Sequence, residues 1–119
     1  MNDRRKHPRY RVKDKVFAVH WMAPTRIGQI IDVSLSGLAF SYLDQHPYPD
    51  EPTEIGILFS DDKFFLKQIP FQSISDTAIP GHPLSSVAMR RHGGQFTELT
   101  PAQEKELHYF IKNHTTTPA

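Results

Sequence analysis

The sequence predicts an all-β domain closed by one C-terminal helix, with six or seven short antiparallel strands forming a barrel or a sandwich. Three observations carry that reading. Apolar residues recur at every second position in several short runs, which is the period of a strand. Turn-forming Pro, Gly, Asp and Ser residues separate those runs. Only the end of the chain switches to helical spacing. At 119 residues the chain fits one domain and can bury a core without covalent staples.

The elements follow in order. Residues 1–14 are polar and basic, with Pro8 against helix formation, and read as a flexible extended arm. Phe17, Val19 and Trp21 alternate with Ala18, His20 and Met22, giving a first strand that ends at a Pro24-Thr25 turn. Arg26 to Val33 is a second strand, and Asp32 to Gly37 a tight, hydroxyl-rich corner. Leu38, Phe40 and Tyr42 resume the alternation. Asp44 to Pro52 holds three prolines, which no central strand tolerates, so it is a loop. Glu54 to Ser60 is a strand, Asp61-Asp62 a turn, and Lys63 to Ile74 a long strand kinked near Pro70. Asp76 to Pro83 reads as a further loop. Ser86 to Arg91 and Gln95 to Thr97 read as two short strands joined through Gly93-Gly94.

The helix is expected over about 101–113. Thr100 offers an N-cap, Pro101 suits the first helical position, and Gln103 stands where a capping box needs it. Leu107, Phe110 and Ile111 then form one apolar stripe, suited to plugging a barrel end or covering a sheet face. Lys112 and His114 fall in the last turn, where the helix dipole favours positive charge. Residues 15–114 are thus the domain proper, and 115–119 are expected to be a frayed tail.

The net charge of +1 conceals an asymmetry. Residues 1–15 hold seven Lys and Arg against two Asp, a balance of +5; the remainder holds seven bases against eleven acids, or −4. A basic arm on a mildly acidic body points to an anionic partner. Within its Arg4–Arg9 run, Arg5 and Arg9 stand four apart and bear planar guanidinium groups that bind phosphate bidentately and pair with the O6/N7 edge of guanine. A solubilising basic tail would have the same composition. The Asp32–Gly37 corner supplies complementary groups. An ionised Asp32 only accepts hydrogen bonds, so it suits the adjacent N1–H and N2–H donors of guanine. Ser34 can donate to a phosphate oxygen or satisfy the turn backbone, and Gly37 permits a positive φ or a close approach of another backbone. An ordinary Asx/Ser turn would use the same residues.

Together, Arg5-Lys6-His7-Pro8-Arg9 and Asp32-Val33-Ser34-Leu35-Ser36-Gly37, with 22 residues between them, resemble the paired signature of the PilZ domain family. Gly93 to Thr100 followed by a helix looks like the family's last strand and closing helix, while residues 60–90 match least distinctively. The resemblance implies a six-stranded antiparallel β-barrel that receives the bacterial second messenger cyclic di-GMP. By motif position it implies that Arg5 and Arg9 clamp phosphate and guanine edges, that Asp32 and Ser34 read guanine, and that Gly37 shapes the turn. An Arg directly before the first motif, here Arg4, is associated in the family with two stacked ligand molecules. The resemblance also leaves open a protein-interaction adaptor for pilus or motility control that does not bind the nucleotide.

Other classes are disfavoured. Zero Cys excludes disulfides, thiolate metal sites and a Cys nucleophile. The seven His residues show no metal-ligand spacing, and no P-loop or nucleophile elbow is present, so neither a cofactor nor enzymatic activity is expected. The acidic body argues against a DNA or RNA partner. No segment approaches the ~20 apolar residues of a transmembrane helix. The N-terminal charges precede no apolar run, so a cytoplasmic location is expected and no signal peptide. The protein partner and oligomeric state stay open. Arg90-Arg91-His92 reads as a solvated strand end that could add phosphate contacts if it faced the arm.

Overall fold

A computed structural model of the chain describes residues 7–13, 15–20, 26–43, 53–59, 64–80 and 88–118. The Pro24-Thr25 turn, the 44–52 loop, the Asp61-Asp62 turn and residues 81–87 lie outside the described residues. The elements run β1 (Tyr10–Val12), β2 (Val16–His20), β3 (Arg26–Val33), β4 (Gly37–Leu43), β5 (Glu54–Phe59), β6 (Phe64–Ile79), β7 (Met89–Phe96), α1 (Pro101–His114) and β8 (Thr115–Pro118).

The strands are hydrogen-bonded in the order β2-β5-β6-β7-β4-β3-β1-β8, and a further β2–β3 pairing closes six of them into an antiparallel barrel. Closure removes the exposed edges of those six strands. β3 makes this arrangement possible by serving two partners along one edge. Its first half pairs with β2, from His20↔Arg26 to Phe17↔Gln29. Its last residues pair with β1, at Tyr10↔Val33 and Arg11↔Asp32.

Alternation sends one face of each strand inward. Val16, Ile30, Val33, Leu38, Phe40, Ile55, Ile57, Leu66, Ile69 and Phe71 are buried in a single core. Leu107 and Phe110 of α1 are fully buried in the same core, so the helix's apolar stripe covers one end of the barrel. Fully burying each of these two side chains stabilises the fold by about 1.5–3 kcal/mol. The capping box forms as the sequence predicts: Thr100 Oγ1 accepts from Gln103 N at 3.1 Å, and Gln103 Oε1 accepts from Thr100 N at 3.0 Å. Gln103 Nε2 also donates to the carbonyls of Lys67 and Gln68, at 3.2 and 3.3 Å. Gln68 has φ 52°, so the capping residue grips the point where β6 bends.

Four expectations are corrected. Thr115–Pro118 is not a frayed tail but strand β8, paired antiparallel with β1. β1 leaves one edge open once β3 has taken the other, and three consecutive threonines supply a strand-forming partner. The arm is therefore not extended and loose throughout 1–14, because Tyr10–Val12 lie between β3 and β8. The Asp76–Pro83 loop begins later than predicted, since β6 continues to Ile79 before Pro80. Polar residues hide that continuation from a pattern argument, yet Asp76, Thr77, Ala78 and Ile79 each face a β7 partner. The two short strands around Gly93-Gly94 are one strand, β7. Glycine is needed there for packing: a Cβ on Gly94 would sit 2.4 Å from Phe71 Cζ and 2.5 Å from the Gln72 carbonyl.

Candidate functional site

The described site residues, Arg9, Asp32, Ser34 and Gly37, fall on or beside three strands. Arg4 and Arg5 lie outside the described residues. Arg9 is half-buried and immediately precedes β1. Because Arg11 stands directly opposite Asp32, the register brings the arm alongside the corner between β3 and β4. Cross-strand partners share a face, so Arg11 and Asp32 lie on the same side of the sheet.

The corner is held by Ser34. Its hydroxyl, buried at 3% exposure, accepts from Ser36 N at 3.1 Å and from Gly37 N at 3.2 Å. It also lies 3.1 Å from Ser36 Oγ and 3.4 Å from the Gly37 carbonyl. The turn closes with Ser34 N donating to Gly37 O at 2.8 Å. Of the two roles open to Ser34, the structure displays the backbone-satisfying one. Gly37 acts through close approach: its φ is not positive, and a Cβ there would meet the Gly94 carbonyl at 2.1 Å.

Asp32 sits at the end of β3 on the outer wall of the barrel, with only 7% of its surface exposed. Its neighbour across the wall is Ala39, and Ala39 in turn faces Gly93. Over this low floor Arg91 reaches from β7, and its Nη2 donates to Asp32 Oδ2 at 3.3 Å. Arg91 was assigned to a solvated strand end by sequence reasoning, and only the β3-β4-β7 adjacency reveals that it meets Asp32.

A second polar cluster, which no spacing in the chain announces, occupies the inward face of β4, β6 and β7. Tyr42 donates its hydroxyl proton to Asp76 Oδ2. Arg90 Nε donates to Asp76 Oδ1 at 2.7 Å, and Arg90 Nη2 donates to the Asp76 carbonyl at 3.1 Å. His92 Nδ1 is 3.3 Å from Asp76 Oδ2, and His92 Nε2 is 2.7 Å from Ser73 Oγ. An ionised Asp76 can only accept, which assigns the His92 proton to Nδ1 and makes Nε2 the acceptor from Ser73. Burial, then the hydrogen bond to Asp76, pushes the Tyr42 phenol up to about 12. Burial works against ionisation of Asp76, but hydrogen bonds from Tyr42, Arg90 and His92 outweigh it and hold the carboxyl below its ordinary value.

Ser73, His92 and Asp76 have the connectivity of a nucleophile, base and orienting acid, but their burial is inverted for that task. The imidazole is 4% exposed and stacked on Phe40 at 5.2 Å, whereas the Asp76 side chain is 35% exposed. A general base must reach substrate, and here the base is the buried member. The cluster ties the three strands together. Among the described residues, no group of three or more His, Cys, Asp or Glu side chains has an arrangement able to hold a metal ion. His114 falls in the last turn of α1 as read, and is buried with its ring 4.8 Å from that of Phe59.

No family model matches the chain, and comparison of its sequence with characterised proteins finds no match. Solved structures do match. The PilZ domain of YcgR from Escherichia coli, determined with c-di-GMP, superposes with a TM-score of 0.70 over 94% of this chain and 92% of that one, at 18% identity. The fold is that of a PilZ domain. The c-di-GMP complex of MrkH from K. pneumonia gives a TM-score of 0.75 over 95% of this chain, at 12% identity. MrkH is described as a c-di-GMP-dependent transcription regulatory factor, and the chain spans about half of its length. In PilZ terms, the six-stranded antiparallel barrel and C-terminal helix are both present. Among the described residues, no helix of this PilZ-like chain is long and apolar enough to cross a membrane.

Proposed function

We propose that the chain is a cyclic di-GMP receptor whose N-terminal arm closes over the ligand and thereby alters contact with a protein partner. The observation that carries this reading is the β1–β3 register, which sets Tyr10–Val12, directly after Arg9, against the strand bearing Asp32, with Arg11 opposite it. In this reading Arg5 and Arg9 clamp phosphate and guanine edges from the arm. Asp32 accepts from the guanine N1–H and N2–H, while Ser34 and Gly37 hold the corner at the height the base requires. Fixing each arm residue costs about 1–2 kcal/mol. Charge-assisted hydrogen bonds contribute about 1.5–3 kcal/mol each, so four or more of them offset the ordering of several residues. The solved c-di-GMP complexes of YcgR and MrkH on the same fold support the ligand assignment. Arg4 extends the proposal to two stacked ligands per chain.

Titration calorimetry with cyclic di-GMP tests both statements. Micromolar binding at two ligands per chain is expected, weakening as salt screens the arm's charges. Arg5→Ala, Arg9→Ala and Asp32→Ala should each remove most of the heat. Absence of heat from the unaltered chain at tens of micromolar ligand would defeat the receptor reading, while saturation at one ligand would defeat only the stacked pair.

A further inference from the structure

We propose that Arg91 is a specificity-determining residue of the ligand site, forming with Asp32 a joint acceptor–donor face for guanine. The proposal rests on the receptor reading above and deepens it. It begins from a contact that joins residues far apart in the chain: Arg91 Nη2 on Asp32 Oδ2 at 3.3 Å.

Three features separate this contact from a structural ion pair. The guanidinium engages one carboxylate oxygen through one nitrogen, although its fork could hold both. The Arg91 side chain is also one-third exposed, while that of Asp32 is only 10% exposed. A guanidinium has five N–H donors, so most of its donor capacity lies beyond this bond. Finally, the floor beneath the pair is made of small residues. A Cβ on Gly93 would lie 3.6 Å from Arg91 Nη1 and 4.0 Å from the Ala39 Cβ. The cross-wall line Gly93–Ala39–Asp32 therefore lets the long side chain lie flat along the barrel and bring its planar group beside the carboxylate.

The chemistry that matches such a pair is a base edge with a donor beside an acceptor. Guanine presents N1–H and N2–H donors next to the O6 acceptor. Asp32 takes the donors, and a second N–H of Arg91 is placed beside the carboxylate oxygen it already holds, where O6 would lie. Adenine reverses the pattern, with an unprotonated N1 and a donating N6 amine. Against adenine, the carboxylate would face an acceptor and the guanidinium a donor. Arg5 and Arg9 would grip phosphate in either dinucleotide and reach the N7 side of guanine, so the Asp32–Arg91 pair adds its discrimination at the N1–N2–O6 edge.

The test is titration of the unaltered chain, Arg91→Met and Arg91→Gln with cyclic di-GMP and cyclic di-AMP, with a thermal melt of each protein to establish folding. Loss of a good base-edge contact costs about ten- to a hundredfold. Arg91→Met should weaken cyclic di-GMP by that factor and leave cyclic di-AMP no weaker, so the preference for guanine falls by the same factor. Arg91→Gln, polar and of shorter reach, carries the same expectation should the Met variant melt early. Arg91→Lys keeps the charge but not the flat fork, and should recover less than half of the lost preference. The inference is overturned if cyclic di-GMP affinity stays within about twofold in both neutral variants. It is equally overturned if both dinucleotides weaken by one factor, because Arg91 then acts only as charge. Failure of the unaltered chain to bind cyclic di-GMP overturns the receptor reading and this inference with it; binding that ignores Arg91 overturns this inference alone.

Discussion

Gly37→Ala is a single-methyl perturbation whose cost can be worked from the corner. The added carbon would stand 2.1 Å from the Gly94 carbonyl oxygen and 3.2 Å from Gln95 Cα, both backbone atoms of β7. Non-bonded heavy atoms rest at about 3.5 Å, so the strands must part by more than about 1 Å. The bonds at risk are Ser34 N to Gly37 O at 2.8 Å, Phe96 N to Ser36 O at 2.8 Å, and the Gly37–Gln95 ladder pairing. At about 1 kcal/mol each, three such losses cost about 3 kcal/mol. Reduced freedom of the unfolded chain returns about 0.4–1 kcal/mol, leaving about 2–3 kcal/mol. For 119 residues, an unfolding entropy of about 2.1 cal/mol/K per residue turns this into a fall in Tm of about 8–12 °C. Differential scanning calorimetry reads it directly. Cyclic di-GMP affinity should fall at least about tenfold alongside, because the same shift moves the corner that carries Asp32. A Tm within about 2 °C of the unaltered chain would show that β4 and β7 are not locked at Gly37, and the reasoning would be wrong.

The inward cluster makes two further predictions. Tyr42 is raised to about 12 in the native state, so its neutral phenol contributes stability below the ordinary value of 10.0 that is lost as pH rises through about 12. An absorbance titration should resolve a phenol ionising near 12, and Tyr42→Phe should delete that component. Asp76 is lowered in the native state, so it contributes stability above its ordinary 3.8 that is lost as pH falls through the lower native value. Asp76→Asn should therefore lower Tm at neutral pH and flatten its decline below about pH 4; parallel acid limbs in the two proteins would refute the assignment.

Five of the six barrel strands and the helix are readable because each carries a local signal, while β7 reads as two strands across Gly93-Gly94. Leu38-Phe40-Tyr42 alternates, and Thr100-Pro101 with Gln103 announces a capped helix that forms as announced. What escaped was set by pairing rather than by propensity. Thr115–Pro118 has no apolar face, and its strand exists because β1 offers an edge. Asp76–Ile79 looks like loop by composition, yet β7 continues beside it. The candidate site divides the same way. Asp32, Ser34 and Gly37 stand in one short motif whose corner is visible in the chain order. Arg91 lies 59 residues from Asp32, and its contact needs the strand order β7-β4-β3, which no spacing rule supplies. His92 was read as part of a basic strand end, whereas alternation with Arg91 turns it inward onto Phe40.

The seating of β1 between β3 and β8 makes the arm's anchorage a long-range event. Tyr10 pairs with Pro118 on one side and Val33 on the other, while Thr116 Oγ1 reaches the Arg11 carbonyl at 3.3 Å and Lys13 N reaches the His114 carbonyl at 3.3 Å. Contacts of such high contact order are completed late in folding, because the closure entropy of nearly the whole chain must be overcome first. A chain still emerging from the ribosome can pair β3 with β4, but it cannot clasp β1 until β8 has been made. A protease cut between α1 and β8 would remove one of the two partners of β1 from a distance, leaving its pairing with β3 and the Asp32 corner.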